Sequence, residues 1–154
     1  EAVCTAISQA ALGDEERTLS QRATRELILA LGAAVQSRRA REAWCEAVNQ
    51  LTQNDAPFFA TAELADMLLA AGHTAESDRM LASVGSAVAS LAGCRRGAPL
   101  MATEAVRDML VAVARRVAPP GGKVARLGTN PLAIAAPGFK AAAFVDLSSK
   151  RFRS

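Results

Sequence analysis

The stretch that most constrains this chain is Glu63–Val88, which reads as two short amphipathic rods with a break between them. Leu64, Met67, Leu68 and Ala71 recur at i, i+3, i+4 and i+7, one face of a helix. Thr61 stands where a hydroxyl can take an unpaired backbone N–H, and Glu63 places a negative charge in the first turn. Gly72 follows the last periodic residue and is read as the stop. Thr74 is the second cap, with Glu76 and Asp78 behind it, and Met80, Leu81, Val84 and Val88 form a new apolar stripe. A joint this short forces the two helices to pack antiparallel.

An upstream segment, Glu26–Val48, repeats the pattern at a spacing of 37 residues (63 − 26 = 37). Glu26, Leu27, Leu31, Ala33 and Ala34 fall under Glu63, Leu64, Leu68, Ala70 and Ala71; Ser37 falls under Thr74, and Trp44 under Leu81. A third copy begins at Glu104, without its second helix. Periods of about 33–47 residues belong to helix-hairpin arrays. Through Leu27–Ala34 with Ala43–Val48, and Leu64–Ala71 with Met80–Val84, the region 20–92 resembles the tetratricopeptide, pentatricopeptide and octotricopeptide class. The Trp, Gly, Tyr and Pro signature of the tetratricopeptide unit is absent. The resemblance implies protein scaffolding or RNA binding by stacked hairpins.

Composition decides what such hairpins can do. Hydrophobic residues make up 51% of 154 residues, but aromatics only 4%, with no Tyr. Small side chains let helices approach closely and leave little volume to fill a thick core, so burial is expected to be completed by neighbours. The net charge of +3 and a pI near 9.1 are mildly basic, short of a dedicated nucleic-acid binder. Cys4, Cys45 and Cys94 are odd in number and lack CxxC spacing, which argues against a zinc knuckle or disulfide framework. No apolar run approaches the ~20 residues of a membrane span. Glu1 in place of Met is read as a processed or trimmed start.

The remainder divides at residue 117. Residues 1–12 are expected to be helical, with Val3, Ala6, Ile7, Ala10 and Ala11 inward; Ser20 is expected to cap a helix running to Gln36, with Leu27, Ile28, Leu31, Ala34 and Val35 inward. A further helix carries Trp44, Ala47, Val48 and Leu51, and Asn54–Pro57 is read as a turn before an anchoring Phe58-Phe59. A last helix over 103–116 turns Val106, Met109, Leu110 and Val113 inward. Residues 117–154 are punctuated by Pro and Gly, with short strands at Leu132–Ala136 and Ala143–Leu147. The expected architecture is therefore all-α: antiparallel helical hairpins over 1–116, solenoid-like, with an irregular extended C-terminal segment over 117–154.

Part of that segment, Ala118–Gly122, Gly128–Pro131, Ala133–Pro137 and Phe144–Asp146, resembles the non-Rossmann malate/L-lactate dehydrogenase family. In that family the region lines a nicotinamide dinucleotide site, so the resemblance points to Asn130 and Asp146. The family's members are far longer, and their histidines lie in a Ser-His-Gly context; the single histidine here, His73, sits in AGHTAES.

No constellation points to catalysis. His73 beside Gly72 reads as a solvated or capping residue, Cys45 beside Trp44 as a buried thiol, and Gly121-Gly122-Lys123 lacks the spacing of a phosphate loop. Glu15-Glu16 and Glu76/Asp78 read as first-turn charges. The contact candidates are arginine and lysine clusters: Arg38, Arg39 and Arg41; Arg95 and Arg96; Arg115 and Arg116; Lys150, Arg151 and Arg153. Such clusters meet phosphates by charge and counterion release, or acidic protein surfaces. The expectation is a non-catalytic subunit of a larger multiprotein assembly, without cofactor or metal, in a mitochondrion or plastid and otherwise in the cytoplasm. An RNA-binding or ribosome-associated helical repeat and a degenerate NAD-dependent dehydrogenase fragment are the alternatives.

Overall fold

The computed structural model describes residues 1–14 and 16–117; the expected strands, the dehydrogenase-like motifs and the basic end Lys150, Arg151 and Arg153 lie outside the described residues. Among the described residues the chain is all-helical: α1 Ala2–Leu12, α2 Arg22–Ala34, α3 Arg38–Phe59, α4 Ala62–His73, α5 Asp78–Ala92, α6 Ala98–Met101 and α7 Glu104–Val117.

Local chemistry fixes most of these boundaries. Ser37 caps α3, accepting from the Ala40 N–H at 3.2 Å; Thr61 caps α4 through the Leu64 N–H at 3.3 Å; Ser77 caps α5 through the Met80 N–H at 3.2 Å. Thr103 accepts from the Val106 N–H at 3.2 Å and so opens α7. Ser20 is not a cap: α2 begins after Gln21, which makes no side-chain capping bond. Thr74 is not one either. It follows α4, its hydroxyl donating back to the Ala70 carbonyl at 2.9 Å, and the joint to α5 runs over four residues, Thr74 to Ser77. The segment from Asn54 to Pro57 is a kink within α3 rather than a turn. Asp55 leaves helical geometry at φ −147° and ψ 69°, and its carboxylate accepts from the Phe58 N–H at 3.2 Å, restarting a last turn.

The connection from α1 to α2 is held by Asp14. Its carboxylate accepts from the Thr18 N–H and hydroxyl, both at 2.6 Å, and from the Leu19 N–H at 2.8 Å. Glu16 lies in this connection and not in a first helical turn.

The most extensive helix pairings are α3 with α5 and α1 with α3. Two contacts fix the direction of the first. Arg79 pairs with Glu46 and Gln53 with Ser86, each 33 residues apart, so α3 and α5 run parallel. Asn54 donates to the Ala11 carbonyl at 2.6 Å, satisfying the C-terminal end of α1. The interior is built from Trp44, Ala47, Val48 and Leu51 of α3, Met80, Val84 and Val88 of α5, Leu64 and Leu68 of α4, and Val106, Met109, Leu110 and Val113 of α7, all as the apolar spacing predicts. Each large apolar side chain so buried contributes about 1.5–3 kcal/mol. Phe59 is also buried, edge-on to Phe58 at 5.1 Å, while Arg25 of α2 lies 5.2 Å over the Phe58 ring.

Two expected inward faces are rotated. In α1 the buried residues are Cys4, Ser8 and Ala11, and Val3 is exposed; in α2 Ile28 is buried and Leu27 exposed. α1 packs chiefly on α3, and α2 on α3 and α4, and in each the apolar stripe is wider than the surface these neighbours cover.

Gly72 does not end α4. It is buried inside the helix, where a Cβ would stand 2.6 Å from Met109 Sδ and 2.9 Å from Met109 Cγ. Gly32 of α2 plays the same part: a Cβ there would meet Met67 Cε and stand 2.7 Å from Trp44 Cε2. Trp44 lies against this bare backbone and donates its indole N–H to the Ile28 carbonyl at 2.8 Å.

Replacing a helix-interior Gly by Ala ordinarily stabilises by about 1 kcal/mol. Gly32→Ala is expected instead to destabilise, because overpacking costs about 1–3 kcal/mol and the rigid indole cannot yield as a Met tip can. Urea unfolding of Gly32→Ala, Met67→Ala and the double variant checks this; the two changes should be non-additive. Ser8 Oγ is buried without a hydrogen-bond partner, so Ser8→Ala is expected to raise stability by about 1 kcal/mol in the same measurement.

Candidate functional site: the arginine-bearing edge

Because α3 and α5 run parallel, their N-termini share one edge. α2 arrives at this edge and turns through Val35–Ser37 into α3; α4 arrives there and turns through Thr74–Ser77 into α5. Arg38, Arg39 and Arg41 therefore sit together in the first turn of α3. Arg79, absent from the sequence-derived set, sits in the first turn of α5 beside them. The signal that would have found it is the spacing of the caps: Arg79 follows Ser77 as Arg39 follows Ser37.

Three cations at a helix N-terminus oppose the dipole, and the sequence leaves open whether α2 and α3 are one continuous helix. They are not: Val35 is extended at ψ 121° and Ser37 caps α3. The opposing charge is met locally. Arg38 Nε pairs with Glu42 Oε1 at 3.1 Å, Arg41 donates to the Gln36 carbonyl at 2.8 Å, and Arg79 Nη2 pairs with Glu46 Oε2 at 2.6 Å. Glu42 faces Ser77 and Arg38, and their hydrogen bonds hold its carboxyl below the usual carboxylate range. Glu42 thus ties the start of α3 to the cap of α5. The edge carries Arg38, Arg39, Arg41 and Arg79 interleaved with Glu42, Glu46, Glu76 and Asp78. It is an interleaved surface, without the single-signed field that gathers phosphates.

The other arginines are divided. Arg95 and Arg96 are exposed in the connection after α5, at the opposite edge. α7 starts from that far side and runs back. Met109 is level with Gly72 near the end of α4, and Arg115 and Arg116 lie about 9 Å or more further along the axis at 1.5 Å per residue. Their backbone thus reaches the side of Arg38, Arg39 and Arg41.

His73 is the exposed last residue of α4. Cys45 is fully buried, and burial pushes its thiol up to about 12, so it stays protonated and inert as a nucleophile. Among the described residues no three His, Cys, Asp or Glu side chains are grouped to hold a metal ion, and no helix is long and apolar enough to cross a membrane.

The Glu42 linkage predicts a pH dependence. A carboxyl with a depressed folded pKa contributes stability that is present above its unfolded pKa and lost as pH falls through the folded value. Glu42→Gln is therefore expected to lower Tm at neutral pH and to flatten the acid limb of a Tm-against-pH profile, leaving the alkaline limb unchanged. The isolated Arg79–Glu46 pair is exposed on the arginine side, and Glu46→Gln should cost under about 1 kcal/mol.

No family model, curated protein or solved structure matches this chain.

Proposed function

We propose that this chain is a helical-repeat scaffold, a non-catalytic subunit that joins neighbouring proteins in a larger assembly. One observation supports this reading above others: the structural elements recur every 40 residues. Ser37 and Ser77 cap equivalent helices (77 − 37 = 40), as Gln21 and Thr61 precede equivalent ones (61 − 21 = 40). At that spacing Gly32 aligns with Gly72, Leu29-Ala30 with Leu69-Ala70, Ala47-Val48 with Ala87-Val88, and Leu51 with Leu91. The buried residues of α1 join the series: Cys4, Ser8 and Ala11 stand 40 before Trp44, Val48 and Leu51, which stand 40 before Val84, Val88 and Leu91. α7 continues the other series at 42 residues, Thr61 aligning with Thr103 and Asp66-Met67-Leu68 with Asp108-Met109-Leu110.

On this reading α2, α4 and α7 form one row and α1, α3 and α5 a second, a solenoid whose units bury their apolar faces only against the next. Such arrays present long interleaved edges, and the edge described above is one. The resemblance to helical-hairpin repeats favours the same function class.

The test is the size of the tagged chain in its native extract, with and without ribonuclease. A particle much larger than the purified chain and unchanged by ribonuclease is expected. Migration at the size of the purified chain overturns the proposal, and collapse under ribonuclease replaces it with the RNA-binding reading.

A further inference from the structure

Two thiols meet in the seam between α1 and α3. Cys4 of α1 and Cys45 of α3 are both free and both 0% exposed. We propose that they are a redox pair, oxidised by a small-molecule disulfide such as oxidised glutathione to a Cys4–Cys45 disulfide that fastens α1 to α3. The scaffold reading stands whether or not this bond forms.

Asn54 of α3 donates to the Ala11 carbonyl of α1 at 2.6 Å, so these two positions are neighbours. Cys4 stands seven residues before Ala11 (11 − 4 = 7), and Cys45 nine before Asn54 (54 − 45 = 9). At 1.5 Å per residue these steps are about 10 Å and about 13 Å, and the Ala11 carbonyl and Asn54 side chain span the difference. The two cysteines are therefore level across the seam. Their proximity shows in the Cys45 thiol, which burial first, then the charges of Glu42 and Cys4, push up to about 12. The two contacts come in the same order along both helices, so α1 and α3 run parallel. The buried stripe of α1, Cys4, Ser8 and Ala11, consists of small side chains. It gives the close approach that a disulfide needs, with Cα atoms about 4.4–6.8 Å apart.

Among the described residues, the side-chain hydrogen bond across this seam is the one from Asn54, at the far end. Thr52 turns its hydroxyl back to the Val48 carbonyl at 2.9 Å, and Ser8 Oγ has no partner. The cysteine end is held by packing, and a disulfide there closes a loop of 41 residues (45 − 4 = 41) that contains α2. Cys94, the third thiol, takes no part: it lies in the connection after α5, its Sγ accepting from the Gly97 N–H at 3.2 Å. Because both paired thiols are covered, exchange begins in a local opening of the seam. Cys4 gives up its proton and attacks one sulfur of the small disulfide. That S–S bond breaks, the departing thiolate takes up a proton, and a mixed disulfide remains on Cys4. The Cys45 thiolate then attacks the Cys4 sulfur, and the second small thiol leaves with the second proton. Two protein thiols are oxidised and one small disulfide is reduced to two thiols.

The test is an equilibrium titration of the full chain carrying Cys94→Ser in glutathione buffers of graded reduced-to-oxidised ratio. It is run in native buffer and in concentrated guanidinium, and each endpoint is approached both from the reduced chain and from a chain refolded with oxidised glutathione. Peptide mapping by mass spectrometry measures the Cys4–Cys45 cross-link, marked by the loss of two hydrogen atoms, and circular dichroism verifies that both redox forms are helical. The cross-link should be favoured about 100-fold more in native buffer than in the denatured chain, and Tm of the oxidised form should stand about 10 °C above that of the reduced form. Cys45→Ser in the same background should lose both the cross-link and the Tm shift. A native equilibrium constant equal to or below the denatured one overturns the inference. So does glutathione retained singly on either cysteine, a cross-link formed only between chains, or a Tm shift that survives Cys45→Ser. Wild type, mapped in the same way, gives the same ratio should Cys94→Ser disturb the fold.

Discussion

The fold depends on bare backbone at two points. Gly32 and Gly72 let a neighbouring helix bring a methionine, and at Gly32 also an indole, down onto the main chain. With small residues elsewhere on these faces, close approach replaces bulk as the source of dispersion contact. A chain with 4% aromatic residues and no Tyr has few other ways to fill space between helices. α4 brings Met67 onto the bare backbone of α2, and α7 brings Met109 onto that of α4.

Electrostatics follow from that arrangement. Parallel stacking of α3 and α5 puts two helix N-termini on one edge, and the arginines there would repel one another and the dipoles if left alone. Glu42, one turn further down α3, meets Arg38, and Glu46, a turn beyond that, meets Arg79. The edge is consequently patterned at the scale of single side chains.

Much of the helix content was legible in the sequence, because the apolar spacing of α3, α4, α5 and α7 has period 3.6 and identifies the buried residues correctly. The sequence pattern reads at a spacing of 37 residues, whereas the capping serines of α3 and α5, Ser37 and Ser77, stand 40 apart. Aligning Glu26 with Glu63 matches acidic residues that the fold leaves exposed; aligning Gly32 with Gly72 gives 40. A glycine in a helical pattern reads as a stop, and only the contact with Met109 shows that it is a packing position. Thr74 reads as a cap in the sequence, but its hydroxyl bonds backward to the Ala70 carbonyl in the last turn of α4. In the candidate site, the cluster Arg38, Arg39 and Arg41 was visible from composition alone. Its neighbour Arg79 and the Arg79–Glu46 pair were not, since parallel helices bring those two together across 33 residues; Arg38–Glu42 is an i,i+4 pair within α3. The faces of α1 and α2 were misjudged because periodicity reports which residues are apolar, not whether a neighbour is present to cover them.

The indole of Trp44 closes the seam between α2 and α3 and is the sole tryptophan in a chain without tyrosine. Near-ultraviolet absorption and intrinsic emission therefore originate almost wholly at that one seam. Any loosening of α2 from the row admits water to the ring and shifts its light to the red, so the molecule carries an optical gauge at its first joint.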